Sequence, residues 1–293
     1  MNVSDLSQAS SLADVRVALR HLLTPKFGER EATAMARLIL MNLKGWDLTH
    51  LMANEYKEAS DFIKGRSREI LDQLLQDVPI QYALGETTFY GLKLKVGPGV
   101  LIPRPETEEL VDIIVKENRG SDLRVLDLCT GSGAIAIALA RNLPFSEVDA
   151  IDISSEAIAI AEENASLLKV KVNIRRGDVF NIKLPREKYN IIVSNPPYVD
   201  ESEKGGMEPN VLNYEPHSAL FVPDDNPLIF YREIAKIALD ALLPGGKLYF
   251  EINPRHASQL KSLLENFGYR DVEIMRDIHG KERFAKAVKN NDK

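Results

Sequence analysis

One cysteine among 293 residues leaves no partner for an intramolecular disulfide and fits a reducing compartment. Cys129 ends an apolar strand candidate, so a buried structural thiol is expected. No run of eighteen or more apolar residues occurs, and the start MNVSDLSQAS has neither a basic n-region nor an apolar h-region, so a cytoplasmic protein with no membrane partner is expected. The five histidines, His21, His50, His217, His256 and His279, show no metal-ligand spacing, so no metal site is expected. A basic block is missing too. Net charge is −6; residues 1–78 hold 10 Lys/Arg against 11 Asp/Glu, and residues 79–293 hold 27 against 32. Gripping nucleic acid by its phosphates calls for a basic face, so direct nucleic-acid binding is not expected. No internal repeat or low-complexity tract appears.

The most informative segment is Asn195-Pro196-Pro197-Tyr198, which follows the apolar strand candidate Tyr189 to Ser194. Neither proline can donate to a strand ladder, so the strand stops there. At its carboxyl end, the Asn195 side-chain oxygen and a carbonyl freed by the Pro-Pro turn can each accept one hydrogen of a planar –NH2, with Tyr198 stacked on its plane. From average composition, this tetrapeptide should occur by chance in about one in a thousand chains of this length.

Upstream, Leu123 to Cys129 reads as a strand, Thr130-Gly131-Ser132-Gly133 as a turn, and Ile135 to Arg141 as an apolar helix. The two glycines permit close approach of backbone to ligand, and the helix start adds unpaired N–H groups. The spacing Gly131-x-Gly133-x-x-Ala136 also fits a dinucleotide fingerprint. Asp127 argues against that, because a carboxylate near the turn repels a pyrophosphate and attracts the ammonium and sulfonium of S-adenosylmethionine. Asp152 closes a second strand candidate, Val148 to Ile151, and can take two ribose hydroxyls. Asp178 follows a third, Lys171 to Arg176, and can accept from an adenine amino group, with Val179 or Phe180 against the ring. A single such acid is usually a solvated loop residue. Three of them at the ends of successive strands point to a site.

Together, Asp127-Leu-Cys-Thr-Gly-Ser-Gly133, Asp152, Asp178 and Asn195-Pro-Pro-Tyr198 resemble the motif series of S-adenosylmethionine-dependent amino-methyltransferases. More narrowly, Pro79-Ile-Gln-Tyr-Ala-Leu-Gly85, Ile102-Pro-Arg-Pro-Glu-Thr-Glu108, Tyr214-Glu-Pro-His-Ser-Ala-Leu220 and Arg276-Asp-Ile-His-Gly-Lys-Glu-Arg283 resemble the release-factor glutamine methyltransferases, the PrmC/HemK family. Cys129 stands where that family usually has the first glycine of its loop, and Glu251-Ile-Asn-Pro254 departs from its usual Glu-Ile-Gly. The resemblance implies that S-adenosylmethionine is held by Asp127, Cys129, Thr130, Gly131, Ser132, Gly133, Asp152, Ile153, Asp178, Val179, Phe180 and Asn195. It implies that Asn195, Pro196, Pro197 and Tyr198 carry catalysis and, with Arg104, bind substrate. The implied substrate is the glutamine of the Gly-Gly-Gln motif in class I peptide chain release factors, and the implied state a monomer.

Residues 1–78 carry helical periodicity at Leu12 to Leu23, Met35 to Leu43 and Ile70 to Val78, punctuated by Thr24-Pro25, Lys44-Gly45 and Pro79. They predict a small helical domain, which the resemblance makes a docking surface for a protein substrate. Residues 79–102 predict a β-hairpin linker. From 103 onward helices alternate with strands, which predicts an α/β domain with a Rossmann-like, seven-stranded class I methyltransferase sheet ending in an antiparallel hairpin, Asp271 to Arg276 with Arg283 to Val288. The aperiodic stretch from Asp200 to Asn226 is expected to be a substrate-binding lid.

The chemistry implied is methyl transfer to an amide nitrogen. Such a nitrogen is a poor nucleophile, so two acceptors on its hydrogens would orient it and stabilise positive charge as it develops. Other readings stay open at this stage: an adenine-N6 or cytosine-N4 DNA methyltransferase, which presents the same –NH2 on a flipped base; a ribosomal-protein glutamine methyltransferase; and an NAD-binding oxidoreductase or non-catalytic Rossmann-like module.

Overall fold

The computed structural model describes residues 6–291. The first five residues, on which the reading of the chain start partly rests, lie outside them. Contacts divide the chain into two units, one running to Gly85 and including Pro209–Tyr214, the other formed by Glu86–Glu208 and the chain from Glu215.

The first unit is helical: α1 (Leu12–Lys44), α2 (Leu48–Ala53), α3 (Asp61–Leu75) and α4 (Ile80–Leu84). Ser11 caps α1 by accepting from the Asp14 N–H at 3.2 Å, while the Asp14 carboxylate accepts from the Ser11 N–H at 2.9 Å, a reciprocal box that satisfies two otherwise orphaned donors. Leu19, Leu23, Ile39 and Leu40 of α1 pack with Ile63, Ile70, Leu71 and Leu74 of α3 in one apolar core. The break expected at Thr24-Pro25 lies three residues further on. Pro25 sits inside the helical run, because its fixed φ suits a helix and Thr24 returns its hydroxyl to the Arg20 carbonyl at 2.7 Å. The chain turns instead at Gly28, whose φ of 76° and ψ of 163° only glycine adopts freely. Ala83 of α4 is buried in this core, which is why the helical unit extends to Gly85, past the boundary expected at residue 78.

The second unit opens with the hairpin β1 (Glu86–Phe89) and β2 (Leu92–Lys95), shorter than the expected 79–102 linker, and its Phe89, Leu92 and Leu94 are buried with α5 (Pro105–Glu117). There follow β3 (Arg124–Leu128), α6 (Ala134–Asn142), β4 (Glu147–Asp152), α7 (Ser155–Leu167), β5 (Asn173–Arg176), β6 (Tyr189–Ser194) and β7 (Val199–Asp200). After α8 (Pro209–Tyr214) come β8 (Phe221–Val222), α9 (Ile229–Ala241), β9 (Leu242–Glu251), α10 (Ala257–Asn266), β10 (Arg270–Arg276) and β11 (Glu282–Val288). The main sheet has seven strands in the order β10-β11-β9-β6-β3-β4-β5, with β9, β6, β3, β4 and β5 parallel and β11 antiparallel to both β9 and β10.

Strand periodicity divides the apolar side chains between two cores. Leu126, Leu128 and Ile192 face α9 and α10, and Val125, Ile191 and Val193 face α5 and α6. Both faces are covered, so β6 reads as a continuous apolar run. The stretch expected to be a substrate-binding lid is built of short pieces. Val199 and Asp200 pair in parallel with Phe221 and Val222, and between them lie two 3-10 turns and α8. Elements of two to six residues are too short to show a period. No helix among the described residues is long and apolar enough to cross a membrane.

Because Gly28, alone within α1, takes a non-helical backbone conformation that other residues adopt only under strain, Gly28→Ala should destabilise the protein by about 1–3 kcal/mol, whereas Pro25→Ala should change stability far less. Urea denaturation of both variants checks this; equal midpoints would mean that α1 tolerates a Cβ at its kink.

Candidate active site

The chain leaves β3 toward β4 and β5 on one side and returns to β6 on the other, and such a switch point opens a crevice at the carboxyl ends of the strands. A cavity of about 240 Å³ lies there. Its wall takes Cys129 to Ser132 after β3, Asp152 at the end of β4 with Ile153 and Ser154 beyond it, Gly177 to Phe180 after β5, and Asn195 and Pro197 after β6. Four strand ends thus converge on one space.

The loop after β3 is held from beneath. Asp127 is completely buried, and its Oδ2 accepts from the Thr130 hydroxyl at 2.6 Å and from the Ala136 N–H, inside the first turn of α6, at 3.2 Å. Its other oxygen has no hydrogen-bond partner. Burial, reinforced by the nearby Asp152 charge, pushes the carboxyl up to about 7, against the two hydrogen bonds. Asp127 is not part of the cavity wall. The direct attraction to an ammonium or sulfonium expected from sequence is therefore not the arrangement observed, since the carboxylate faces the loop and the helix start.

Above it the loop takes left-handed backbone three times, at Cys129 (φ 61°), Gly131 (φ 55°) and Gly133 (φ 79°). The first bears on the departure at Cys129: the resemblance implies a glycine at this place, which would suit the conformation, and here a side chain tolerates it at a cost of about 1–2 kcal/mol. Cys129 is half-buried on the cavity wall and not fully buried as expected, and desolvation, with the nearby Asp152 charge, holds its thiol well above the usual range. At Gly133 a Cβ would meet the Ala161 Cβ and Ile137 Cδ1 at 3.1 Å, so the glycine serves close packing of α6 on α7. Asn164 of α7, also buried, donates to the carbonyls of Ser132 (2.9 Å) and Lys95 (3.0 Å) and accepts from the Lys95 N–H (2.6 Å). Loop, hairpin and α7 are fastened by this one amide.

Asp152 is on the wall. Its Oδ2 accepts from the Gly131 N–H at 2.8 Å and its Oδ1 from the Ser154 N–H at 3.0 Å, which fixes both oxygens and leaves each a further lone pair. Burial raises its pKa, opposed by those backbone donors. Asp178 is held in the same way by the Phe180 N–H (3.0 Å) and the Asn181 amide (2.7 Å). Val179 is buried, Ile153 and Phe180 are exposed at the rim, and Phe180 meets Phe230 of α9 with ring centroids 5.1 Å apart. Phe230 was not foreseen from sequence, because α9 is distant in the chain.

The Asn-Pro-Pro-Tyr segment divides between two sides. Asn195 and Pro197 face the cavity; Pro196 and Tyr198 do not, as expected for alternation along an extended chain. Stacking of Tyr198 on a ligand in this cavity is therefore not what the structure presents. Its ring packs against the α9/α10 core and borders a neighbouring groove, and its hydroxyl donates to Glu251 Oε1 at 2.9 Å. Asn253, the departure noted in sequence, donates to the Tyr198 carbonyl at 3.1 Å and to Glu203 at 2.8 Å, and so braces the same turn. No hydrogen bond among the described residues uses the carbonyls of Pro196 and Pro197. Arg104 is also off the cavity wall, its guanidinium held 2.6 Å from the buried Glu215, which accepts from the Ile102 N–H as well. Sequence reading missed Thr107 and Glu251. Thr107 lines the cavity and Glu251 is buried behind it, and the signal available was a carboxylate ending an apolar strand, as at Asp152.

The charged groups on the wall are the carboxylates of Asp152 and Asp178, with no Lys, Arg or His. Such a wall disfavours a pyrophosphate and suits a ligand with hydroxyls, an amino group and positive charge. The residues present thus fit S-adenosylmethionine better than a dinucleotide.

Asp127 makes the stability of this site depend on pH. In the folded chain it keeps its proton to about pH 7, and unfolded it releases it near its ordinary value of 3.8. The folded state binds the additional proton between those values, so this contribution is full below about pH 4 and is lost as pH rises to about 7. Relative to wild type, Asp127→Asn should therefore gain stability by on the order of 1 kcal/mol per pH unit across that window. Denaturation midpoints at several pH values test this, and parallel profiles would refute it.

Family models match in two places: a methyltransferase small domain over residues 106–211 and a PrmC N-terminal domain over residues 18–85. The release factor glutamine methyltransferase of Bacteroides thetaiotaomicron is 46% identical over 94% of this chain and 98% of its own length. That of Streptococcus pneumoniae is 41% identical over 88% of this chain and 91% of its own. A solved methyltransferase from Pyrococcus furiosus, 20% identical, covers 75% of this chain and 97% of its own with a TM-score of 0.51, which shows the shared fold. Similarity at 46% over nearly the whole of both chains, spanning both units, places this protein in the release factor glutamine methyltransferase (PrmC/HemK) family of class I S-adenosylmethionine-dependent methyltransferases.

Proposed function

We propose that this enzyme methylates the side-chain amide nitrogen (N5) of the glutamine in the Gly-Gly-Gln motif of class I peptide chain release factors. One cavity wall shared by Asp152 and Asp178 at one end and Asn195 and Pro197 at the other is the observation that supports this reading most. S-adenosylmethionine supplies an electrophilic methyl on a sulfonium.

In this reading Asp152 accepts from the ribose hydroxyls, Asp178 from the adenine amino group, and Val179, Phe180 and Phe230 flank the ring, while the backbone of Thr130 to Gly133 borders the amino-acid end. Asn195 Oδ1 and a carbonyl of Pro196 or Pro197 each accept one hydrogen of the glutamine amide. The nitrogen is then aimed, and as it takes the methyl carbon the bond from that carbon to sulfur breaks with its electron pair staying on sulfur. Both acceptors strengthen as charge develops on nitrogen, and the proton leaves to water afterward. No general base has to act in the bond-making step. The helical unit, with Tyr56 and Phe62 exposed, serves as the docking surface for the protein substrate. The enzyme acts as a cytoplasmic monomer on protein, without direct nucleic-acid binding.

Intact mass of a purified release factor after incubation with enzyme and S-adenosylmethionine should rise by one methyl group, located on the glutamine by peptide fragmentation. Asn195→Ala should keep cofactor affinity but lose transfer by at least about a hundredfold. Asp152→Ala should weaken cofactor binding by about 2–3 kcal/mol in calorimetry. An unmodified release factor, or an alanine variant at 195 with a near-normal rate, would contradict the proposal.

A further inference from the structure

Behind Asn195 lies a short chain of hydrogen bonds whose direction is dictated by chemistry. Glu251, 1% exposed at the end of β9, receives two hydroxyls: Thr107 donates to Oε2 at 2.6 Å and Tyr198 donates to Oε1 at 2.9 Å. Burial raises the Glu251 pKa, while these two hydroxyl donors and the Arg283 charge favour the ionised form. With one hydroxyl donating to each of its oxygens, the Glu251 carboxyl accepts from both, and a threonine hydroxyl has a single hydrogen to give. With that hydrogen committed to Glu251, Thr107 Oγ1 offers its other neighbour only lone pairs. That neighbour is the Asn195 side chain, with Nδ2 3.5 Å away.

An amide side chain is a donor on one side and an acceptor on the other. If Thr107 can only accept, the –NH2 of Asn195 faces it and the carbonyl oxygen is turned away. That oxygen has no hydrogen-bond partner among the described residues, and Asn195 lines the cavity. The opposite orientation would aim –NH2 at the substrate amide. It would then confront the substrate hydrogens with hydrogens, or donate to the nitrogen lone pair that has to attack.

We propose that Thr107 and Glu251 are positioning residues that set which end of the Asn195 amide meets the substrate. The proposal rests on the role given to Asn195 above. Neither residue touches the reacting atoms in this account; Glu251 fixes the hydroxyl of Thr107, and Thr107 fixes the amide of Asn195.

The test is a set of single and double variants of the full chain, read by single-turnover methyl transfer to a purified release factor and by calorimetric affinity for S-adenosylmethionine. Thr107→Val keeps the shape and removes the hydroxyl; it should lower kcat at least tenfold while KM and cofactor affinity stay within threefold. Thr107→Ser restores the hydroxyl and should rescue most of the rate. Glu251→Gln has one accepting oxygen where the carboxylate has two, so both hydroxyls can no longer donate, and kcat should fall at least fivefold. On an Asn195→Ala background each substitution should cost less than a further twofold, because the group it orients is gone.

Full rate in Thr107→Val, or the same loss with and without Asn195, would overturn the proposal. If Thr107→Val does not fold, Glu251→Gln carries the same cycle, and its retaining wild-type kcat would have the same force. Near-normal transfer by Asn195→Ala alone is a different result: it removes Asn195 from the chemistry, and this proposal falls with it.

Discussion

The carboxylate of Asp127 is the constraint on which the rest of the site depends. A parallel strand cannot run directly into a helix without a loop that reverses the chain, and here that loop bends through three left-handed residues. Such a path is not favoured by local preference. It persists because one oxygen of a fully buried acid holds both the beginning of the loop, at Thr130, and the helix that follows, at Ala136. With the loop in place, the Gly131 N–H reaches Asp152 and orients the acid of the next strand. Strain in the loop, order in Asp152 and the shape of the crevice are one linked arrangement.

The protein uses buried carboxylates repeatedly for this purpose. Glu215 holds the segment leading into α5 by accepting from the Ile102 N–H and Arg104, and Glu251 gathers the hydroxyls of Thr107 on α5 and Tyr198 in the turn after β6. Each acceptor has two oxygens and so can fasten two chain segments at once. Leaving a buried acid without its donors is costly, so such contacts select one arrangement of the loops around the crevice.

Much of this was legible in the sequence because the features concerned are local. Tyr189 to Ser194 is a strand wherever it is placed, and two prolines end it. Asp152 and Asp178 could be picked out as acids after successive strands. Asp127 gave the same signal but sits within β3, one residue before its end, where strand alternation turns it beneath the loop; distance from a glycine turn does not reveal facing. Tyr198 was misjudged for the same reason, since its ring direction follows from alternation after Asn195. Thr107 and Glu251 were invisible as partners because 144 residues separate them and only the packing of α5 against β9 brings them within 2.6 Å. Pro25 carried the stronger sequence signal for a helix break than Gly28, yet conformational freedom decided the matter.

The strand order has a metric consequence. Asp152 ends β4 and Asn195 follows β6, and β3 lies between those two strands. Neighbouring strands are about 4.8 Å apart, so the two side chains spring from positions separated by roughly 10 Å across the sheet. That spacing is imposed by backbone hydrogen bonds, which no change of loop sequence can stretch. The sheet therefore acts as a fixed gauge: a molecule gripped at one strand end reaches the other only if the part between has the right length, and discrimination by length comes from the ladder itself.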